Sequence, residues 1–365
     1  MKEQFDIALV GAGIMGSTTA LFLSRAGLKV ALIDKNLICR QASGVNAGTL
    51  TMHMTRAKLI PFAKKGWDMW MTTEKWLGKG FKIKKKNGLC LAFTDEEADL
   101  LITRSKARME QGAPIKIISS NEAIKIEPGV NKKIKIAAFC EIDGYVSAYQ
   151  TGLIYKKALE QEGVKIFENC EIKKIDINQN KFTIISESLN ISSKNLVISS
   201  GAWIEKLLKL LNVSLKIKCL AQQLIVTERI KKILDCVITV ANGKLSLKQF
   251  ENGTALIGGG WPGIGDTEIG PFTTIPDNLL GNMRLACYAV PELKESRVSR
   301  VWLGLEAETS DAMPIIGEIP NIQNAYVIGS VHSGYTSGPY MGYLLAQKIL
   351  EKNVDLSLFK PSRLL

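Results

Sequence analysis

The stretch FDIALVGAGIMGSTTALFLSRAGLKVALIDK, residues 5–35, constrains the fold more than any other part of the chain. Phe5–Val10 is a continuous apolar run, the pattern of a parallel strand buried on both faces. Gly11, Gly13 and Gly16 follow in G-x-G-x-x-G spacing. Ala20, Leu21, Leu23 and Ala26 then recur at helical intervals, and Gly27 stands where the helix should stop. Lys29–Ile33 reads as a second strand, ended by Asp34. Gly11 permits a tight turn, Gly13 lets backbone N–H groups approach a pyrophosphate, and Gly16 lets the helix pack close to the strand. The helix N-terminus favours negative charge through its unpaired N–H groups and its dipole. Asp34, 23 residues after Gly11, sits where a carboxylate holds a ribose hydroxyl and disfavours a 2′-phosphate. Together these pieces predict a dinucleotide-binding unit, with NADP disfavoured.

At 365 residues the chain has room for about two domains. It holds no apolar run of about 18 residues, so no transmembrane segment is predicted. MKEQFDIALVGAG enters a strand without the basic and apolar regions of a secretory signal, and a cytoplasmic location is expected. The seven cysteines have neither CxxC nor zinc-like spacing, which predicts buried free thiols and no metal. The net charge of +12 is spread over small lysine groups without interleaved aromatics, so nucleic acid is an unexpected partner.

The fingerprint alone leaves FAD and NAD open. RQASGVNAGTL, residues 40–50, is a small, polar loop that can run beside a cofactor's phosphates and ring. An NAD dehydrogenase would more usually continue with another strand–helix unit. Here an amphipathic stretch, Lys58–Leu77, follows, and its Trp67, Trp70 and Trp76 are expected in a domain core. With these features the sequence resembles the D-amino-acid oxidase-like FAD-dependent oxidoreductases, which include glycine oxidase and sarcosine oxidase, over nearly its whole length. Ser43, Gly44, Asn46, Ala47 and Gly48 match the family's loop leading to the flavin. In EIDGYVSAYQTGLIYKKALEQEGVKIFENCEI, a helix at about 148–162 precedes a strand, Val164–Phe167, and the resemblance places Glu171 near the adenosine. NLVISSGAW resembles the strand that closes over the pyrophosphate, with Ser200 and Gly201 in its turn. RVWLGLEAETSDAMPIIG, containing Gly304, and AYVIGSVHSGYTSGPYMG look like the pair that frames the flavin. The latter contributes His332, Gly334, Tyr335, Thr336 and Ser337, and Pro339 suits the first turn of a closing helix.

The resemblance implies an α/β fold: a Rossmann-like FAD-binding domain and a second domain with a mainly antiparallel sheet. The cofactor domain is expected at 1–86, 141–216 and 300–365, and the substrate domain at 87–140 and 217–299. Short runs at Gln222–Val226, Cys236–Val240, Lys244–Gln249 and Thr254–Ile257 read as a meander, followed by a helix over Pro276–Ala289.

The resemblance also implies oxidation of a C–N bond in an amine or amino acid. A neutral amine loses a hydride to flavin N5 and the imine is hydrolysed, with FAD held noncovalently. His53, Trp261, Glu306 and His332 are the candidate catalytic residues, and Gln249 is a candidate to point into the cavity. Many relatives have arginine where this chain has Glu306, to grip a substrate carboxylate. A carboxylate here would repel one, so Arg56, Arg300 or a lysine is the alternative anion holder, or the substrate carries a group that Glu306 selects. A small-molecule amine is thus the expected substrate. The flavin subunit of a heteromeric dehydrogenase and a tRNA-modifying amine oxidase are the alternatives; an NAD dehydrogenase ranks last.

Overall fold

The computed structural model describes residues 3–268, 272–330 and 334–364. Two sheets divide the chain. The first contains β1 (Glu3–Val10), β2 (Val30–Ile33), β7 (Lys165–Phe167), β8 (Lys174–Asn178), β9 (Lys181–Ile185), β10 (Asn190–Ile198), β16 (Ile315–Glu318) and β17 (Ala325–Gly329). The second contains β3 (Thr49–Leu50), β4 (Lys84–Ala92), β5 (Ile115–Ser119), β6 (Ile136–Tyr145), β11 (Lys218–Arg229), β12 (Val237–Val240), β13 (Ser246–Gln249), β14 (Thr254–Gly258) and β15 (Val298–Glu308). The helices are α1 (Ile14–Arg25), α2 (Ala42–Val45), α3 (Ile60–Met71), α4 (Thr73–Trp76), α5 (Asp95–Glu110), α6 (Ser120–Ile126), α7 (Thr151–Gln161), α8 (Ile204–Lys209), α9 (Pro276–Ala289) and α10 (Gly334–Ile349).

In the first sheet β17, β10, β1, β2 and β7 run parallel, with β1 central and its apolar run buried between helices. Gly11, at φ +114°, ends β1 against the end of β10. A Cβ there would lie 2.4 Å from the Ser199 carbonyl carbon, so only glycine allows the approach. At Gly16 a Cβ would stand 2.2 Å from the Gly11 carbonyl oxygen, which seats α1 on the turn.

Helix α10 packs on α1 and α3, and Pro339 lies inside it rather than in its first turn. A proline there cannot bond the carbonyl four residues back, that of Tyr335. Trp70 supplies the missing donor: its indole N–H bonds Tyr335 O at 2.9 Å. The tryptophan expected in a core is therefore also a hydrogen-bond patch on a broken helix ladder.

The second sheet runs β15-β11-β14-β13-β12-β4-β6-β3, antiparallel except for the parallel β12–β4 pair. Helix α9 begins and ends at the residues expected. The expected domain edges differ from the sheets. The expected cofactor segment from residue 300 takes in most of β15, yet this strand pairs with β11 from Lys218↔Glu308 to Thr227↔Val298. Lys84–Lys86 and Glu141–Tyr145 likewise belong to β4 and β6. Ladder pairing continues through these points, whereas the sequence landmarks mark only where the chain passes the cofactor.

Candidate active site

A cleft of about 330 Å³ runs from the carboxyl ends of the parallel strands to the second sheet. At one end stands Asp34, just past β2. Its carboxylate accepts the Ala12 amide at 2.7 Å and the Asn36 amide at 2.8 Å. Burial raises its pKa and the two amides oppose that. Lys35 lies over the Trp203 ring, 3.5 Å from its centroid. Glu171 opens onto the same end and pairs with Lys173 and with Lys206.

The middle of the cleft is the N-terminus of α1. The Ile14 amide donates to Ser43 Oγ at 3.0 Å, so the 40–50 loop closes over the first turn. Asn46 braces that loop: its side chain donates to Ala42 O and Ser43 O and accepts the Gly48 amide. Gly44 packs against the Cys39 carbonyl. Gly48 has φ +66°, and a Cβ there would meet Val146 O at 2.0 Å.

The far end is walled by β11, β15 and the start of α10. Gln222, Leu224, Gly304 and Glu306 line it, with Ala47, Gly334 and Tyr335 opposite. Trp302 ties β15 to the loop by donating its indole N–H to Val45 O at 2.7 Å. The Tyr335 hydroxyl bonds Thr151 Oγ1 at 2.6 Å, and burial raises its pKa.

Of the residues singled out in the sequence, Gly11, Gly13, Asp34, Ser43, Asn46 and Ala47 therefore meet at one cleft. Glu171, Ser200, Gly201, Gly304, Glu306, Gly334 and Tyr335 join them. Gly16, Gly44, Gly48, Thr336 and Ser337 stand behind the walls. The Thr336 hydroxyl donates to Thr49 O at 3.4 Å, and that of Ser337 points at Met341 Sδ. His53 is buried away from the cleft, with Nε2 3.4 Å from Gly88 O, and burial lowers its pKa despite the nearby Asp143 carboxylate. Trp261 covers Gly281 and donates its indole N–H to Lys244 O at 2.7 Å, outside the cleft. His332 lies outside the described residues. Arg56 pairs with Glu308 at 3.3 Å, and Arg300 lies over Trp302.

Gln249 does not face the cleft. Its side chain accepts the Ile233 and Leu234 amides and donates to Lys231 O and Gly253 O. Strand alternation turns its neighbour Lys248 to the opposite face. Lys248 is not among the residues that the sequence singles out, although the alternation in LSLKQ carries the signal.

Known proteins share this fold. The family described as DAO, FAD dependent oxidoreductase, matches residues 6–348.

The chain belongs to this family of FAD-dependent oxidoreductases.

Glycine oxidase of Geobacillus kaustophilus (strain HTA426) is 23% identical over 100% of this chain and 98% of that protein. One of the subunits of opine oxidase from Rhizobium meliloti is 23% identical over 99% of this chain and 98% of its own. The solved L-proline dehydrogenase from P. horikoshii superposes with a TM-score of 0.90 at 23% identity, covering 100% of this chain and 98% of that one.

The cleft fits the FAD on which this family depends. Gly13 lines it, and among the described residues a Cβ there would meet no atom closer than Ser43 Oγ at 3.4 Å. The space beside that backbone is thus kept clear of the protein's own atoms. Among the described residues, the hydroxyls of Ser200 and Ser330, both on the cleft wall, are buried without a hydrogen-bond partner. Among the described residues no helix is long and apolar enough to cross a membrane.

Proposed function

We propose that this oxidoreductase acts on the C–N bond of an amino acid or secondary amine. The observation that carries the reading is the cleft itself, which joins a dinucleotide cradle to a floor made by a second sheet. Full-length relatives named as glycine oxidase and as the beta chain of sarcosine oxidase support it. In this reading Asp34 holds the adenosine ribose, and the amides at the start of α1 hold the pyrophosphate. Ser200 and Ser330 bond the cofactor with their hydroxyls, while Gly304, Gly334 and Tyr335 frame the ring. FAD supplies the two-electron acceptor. The chain's part is to orient the amine, exclude water and set the charge around it.

Binding is noncovalent in this reading. Cys39 reaches the cleft, but its thiol donates to Ala12 O at 3.4 Å and burial pushes its pKa up, which denies it thiolate character. Glu306 sets selectivity by disfavouring a bare substrate carboxylate beside it. The free cysteines suit a cytoplasmic location. The test is anaerobic bleaching of the purified yellow protein by N-methyl amino acids, D-amino acids, proline and glycine. Failure of every amine, with bleaching by a hydroxy acid, refutes the reading.

A second reading, a flavin subunit within a heteromer, is favoured by the relatives that are themselves subunits, those of opine oxidase and sarcosine oxidase. A monodisperse single chain with full turnover refutes it.

A further inference from the structure

Lys248 has no exposed surface. Its amine donates to Thr49 Oγ1 at 2.5 Å, and that hydroxyl also meets Ser246 Oγ at 3.2 Å. Among the described residues no carboxylate pairs with it. A buried amine without an anion is costly, and burial alone lowers its pKa to about 7.

Sheet register shows which way it faces. Leu224, on the cleft wall, lies over Gly258, where a Cβ would meet its Cδ2 at 2.4 Å. Gly258 is paired with Ser246, so these three residues form one row across three strands. Lys248, two residues from Ser246, projects from the same face. From the opposite side, Thr49 follows Ala47, which lines the far end of the cleft. The Thr49 carbonyl accepts the Thr336 hydroxyl, two residues after the cleft residue Gly334. The amine thus stands where the loop, the second sheet and α10 converge on the end of the cleft that would frame the ring.

Among the described residues, the titratable side chains of the surrounding elements do not neutralise it. His53 and Asp143 sit together beyond Thr51, whose hydroxyl donates to Asp143 at 2.6 Å. Tyr145, paired with Thr49, is pushed up to about 12 by burial and packs on Phe250. Cys90 and Cys140 are raised by burial, Glu251 pairs with Lys84, and Glu308 pairs with Arg56. Glu306 and Arg300 lie on β15, and Tyr335 of α10 bonds Thr151.

We propose that Lys248 is the charge-compensating group of the cofactor site. Its amine takes one proton from water each time the FAD ring accepts a hydride, and returns it on reoxidation. The balance is simple. The amine donor loses two electrons and a proton as hydride, and the ring gains them with one net negative charge. Lys248 gains one positive charge, so the two changes cancel. The inference rests on the cofactor and not on which amine is oxidised.

Potentiometry of the holoenzyme with dithionite tests it without a substrate. Each proton taken up with two electrons moves the midpoint by about 30 mV per pH unit, a tenfold change in equilibrium constant. Above about pH 7, where the oxidised state leaves Lys248 neutral, the wild-type line should be steeper by one such proton than that of Lys248→Met. Lys248→Arg, charged throughout, should follow the shallow slope at a higher potential than Lys248→Met. Parallel wild-type and Lys248→Met lines overturn the proposal. If Lys248→Met fails to bind FAD, wild type and Lys248→Arg decide: equal slopes overturn it and a steeper wild-type line supports it.

Discussion

Gly13 and Gly16 belong to one fingerprint, yet the structure assigns them different duties, and alanine separates them. Gly13 is the N-cap of α1 at φ −69° and ψ 174°, a conformation open to any L residue. Among the described residues its one neighbour within contact of a new Cβ is Ser43 Oγ at 3.4 Å, and Gly13 itself lines the cleft. Removing glycine from the unfolded chain gains about 0.4–1 kcal/mol, and alanine in place of glycine at an N-cap gives back roughly 0.5–1 kcal/mol. The FAD-free Gly13→Ala protein should therefore melt within about 1 kcal/mol of wild type. The same methyl blocks close approach of the α1 amides to a phosphate. Losing one or two hydrogen bonds to a charged group, at about 1.5–3 kcal/mol each, weakens FAD binding by roughly tenfold to more than a thousandfold. Gly16→Ala meets the Gly11 carbonyl at 2.2 Å and Ser199 Oγ at 2.5 Å, so backbone must shift. Overpacking of that kind costs about 1–3 kcal/mol of fold stability. Urea melts of the stripped proteins and FAD titration by flavin fluorescence quenching measure both effects. A Gly13→Ala protein that melts as early as Gly16→Ala, or that binds FAD like wild type, refutes the division of labour.

Trp70→Phe keeps an aromatic beside Tyr335 but strands the carbonyl that Pro339 already denies a partner, and should cost about 1–3 kcal/mol in a urea melt. An unchanged midpoint would show that the indole bond is not needed. Asp311 is pushed up by burial but held down to about 2 by Arg363, the Met313 amide and Thr309. A folded pKa below the ordinary value of 3.8 gives stability that is present above about pH 4 and lost as pH falls through 2. Because the carboxylate is 39% exposed, the share is discounted to about 1 kcal/mol. Asp311→Asn should trail wild type at neutral pH and converge with it in acid, and a gap that persists at pH 2 counts against the clasp. Glu306→Arg should shift turnover toward substrates with a free carboxylate, with the gain mainly in KM; an identical substrate profile removes Glu306 as a selector.

The cofactor half is legible in the sequence because its constraints are local. A buried run, three glycines at fixed spacing and an acid at the next strand end each answer to neighbours close in sequence. The far end of the cleft is less so. β15 cannot be placed from its own residues, because its membership is decided by ladder bonds to β11, about eighty residues earlier. Trp70 and Pro339 are each visible, but their pairing exists only once α3 lies on α10. Gln249 and Lys248 show the limit most clearly. Both are polar, adjacent and on a strand whose alternation is readable, so one has to face the cofactor domain and the other away. The sequence favours Gln249 for the cavity, because lysines are ordinarily solvated. The backbone of 231–234 and Gly253 absorbs every bond Gln249 can make, which turns it outward from the cleft. Lys248 is then committed to the inner face, where its amine finds a hydroxyl and, among the described residues, no anion. A side chain so expensive to bury needs a compensating gain, and the proposed one is a proton taken up as the cofactor is reduced.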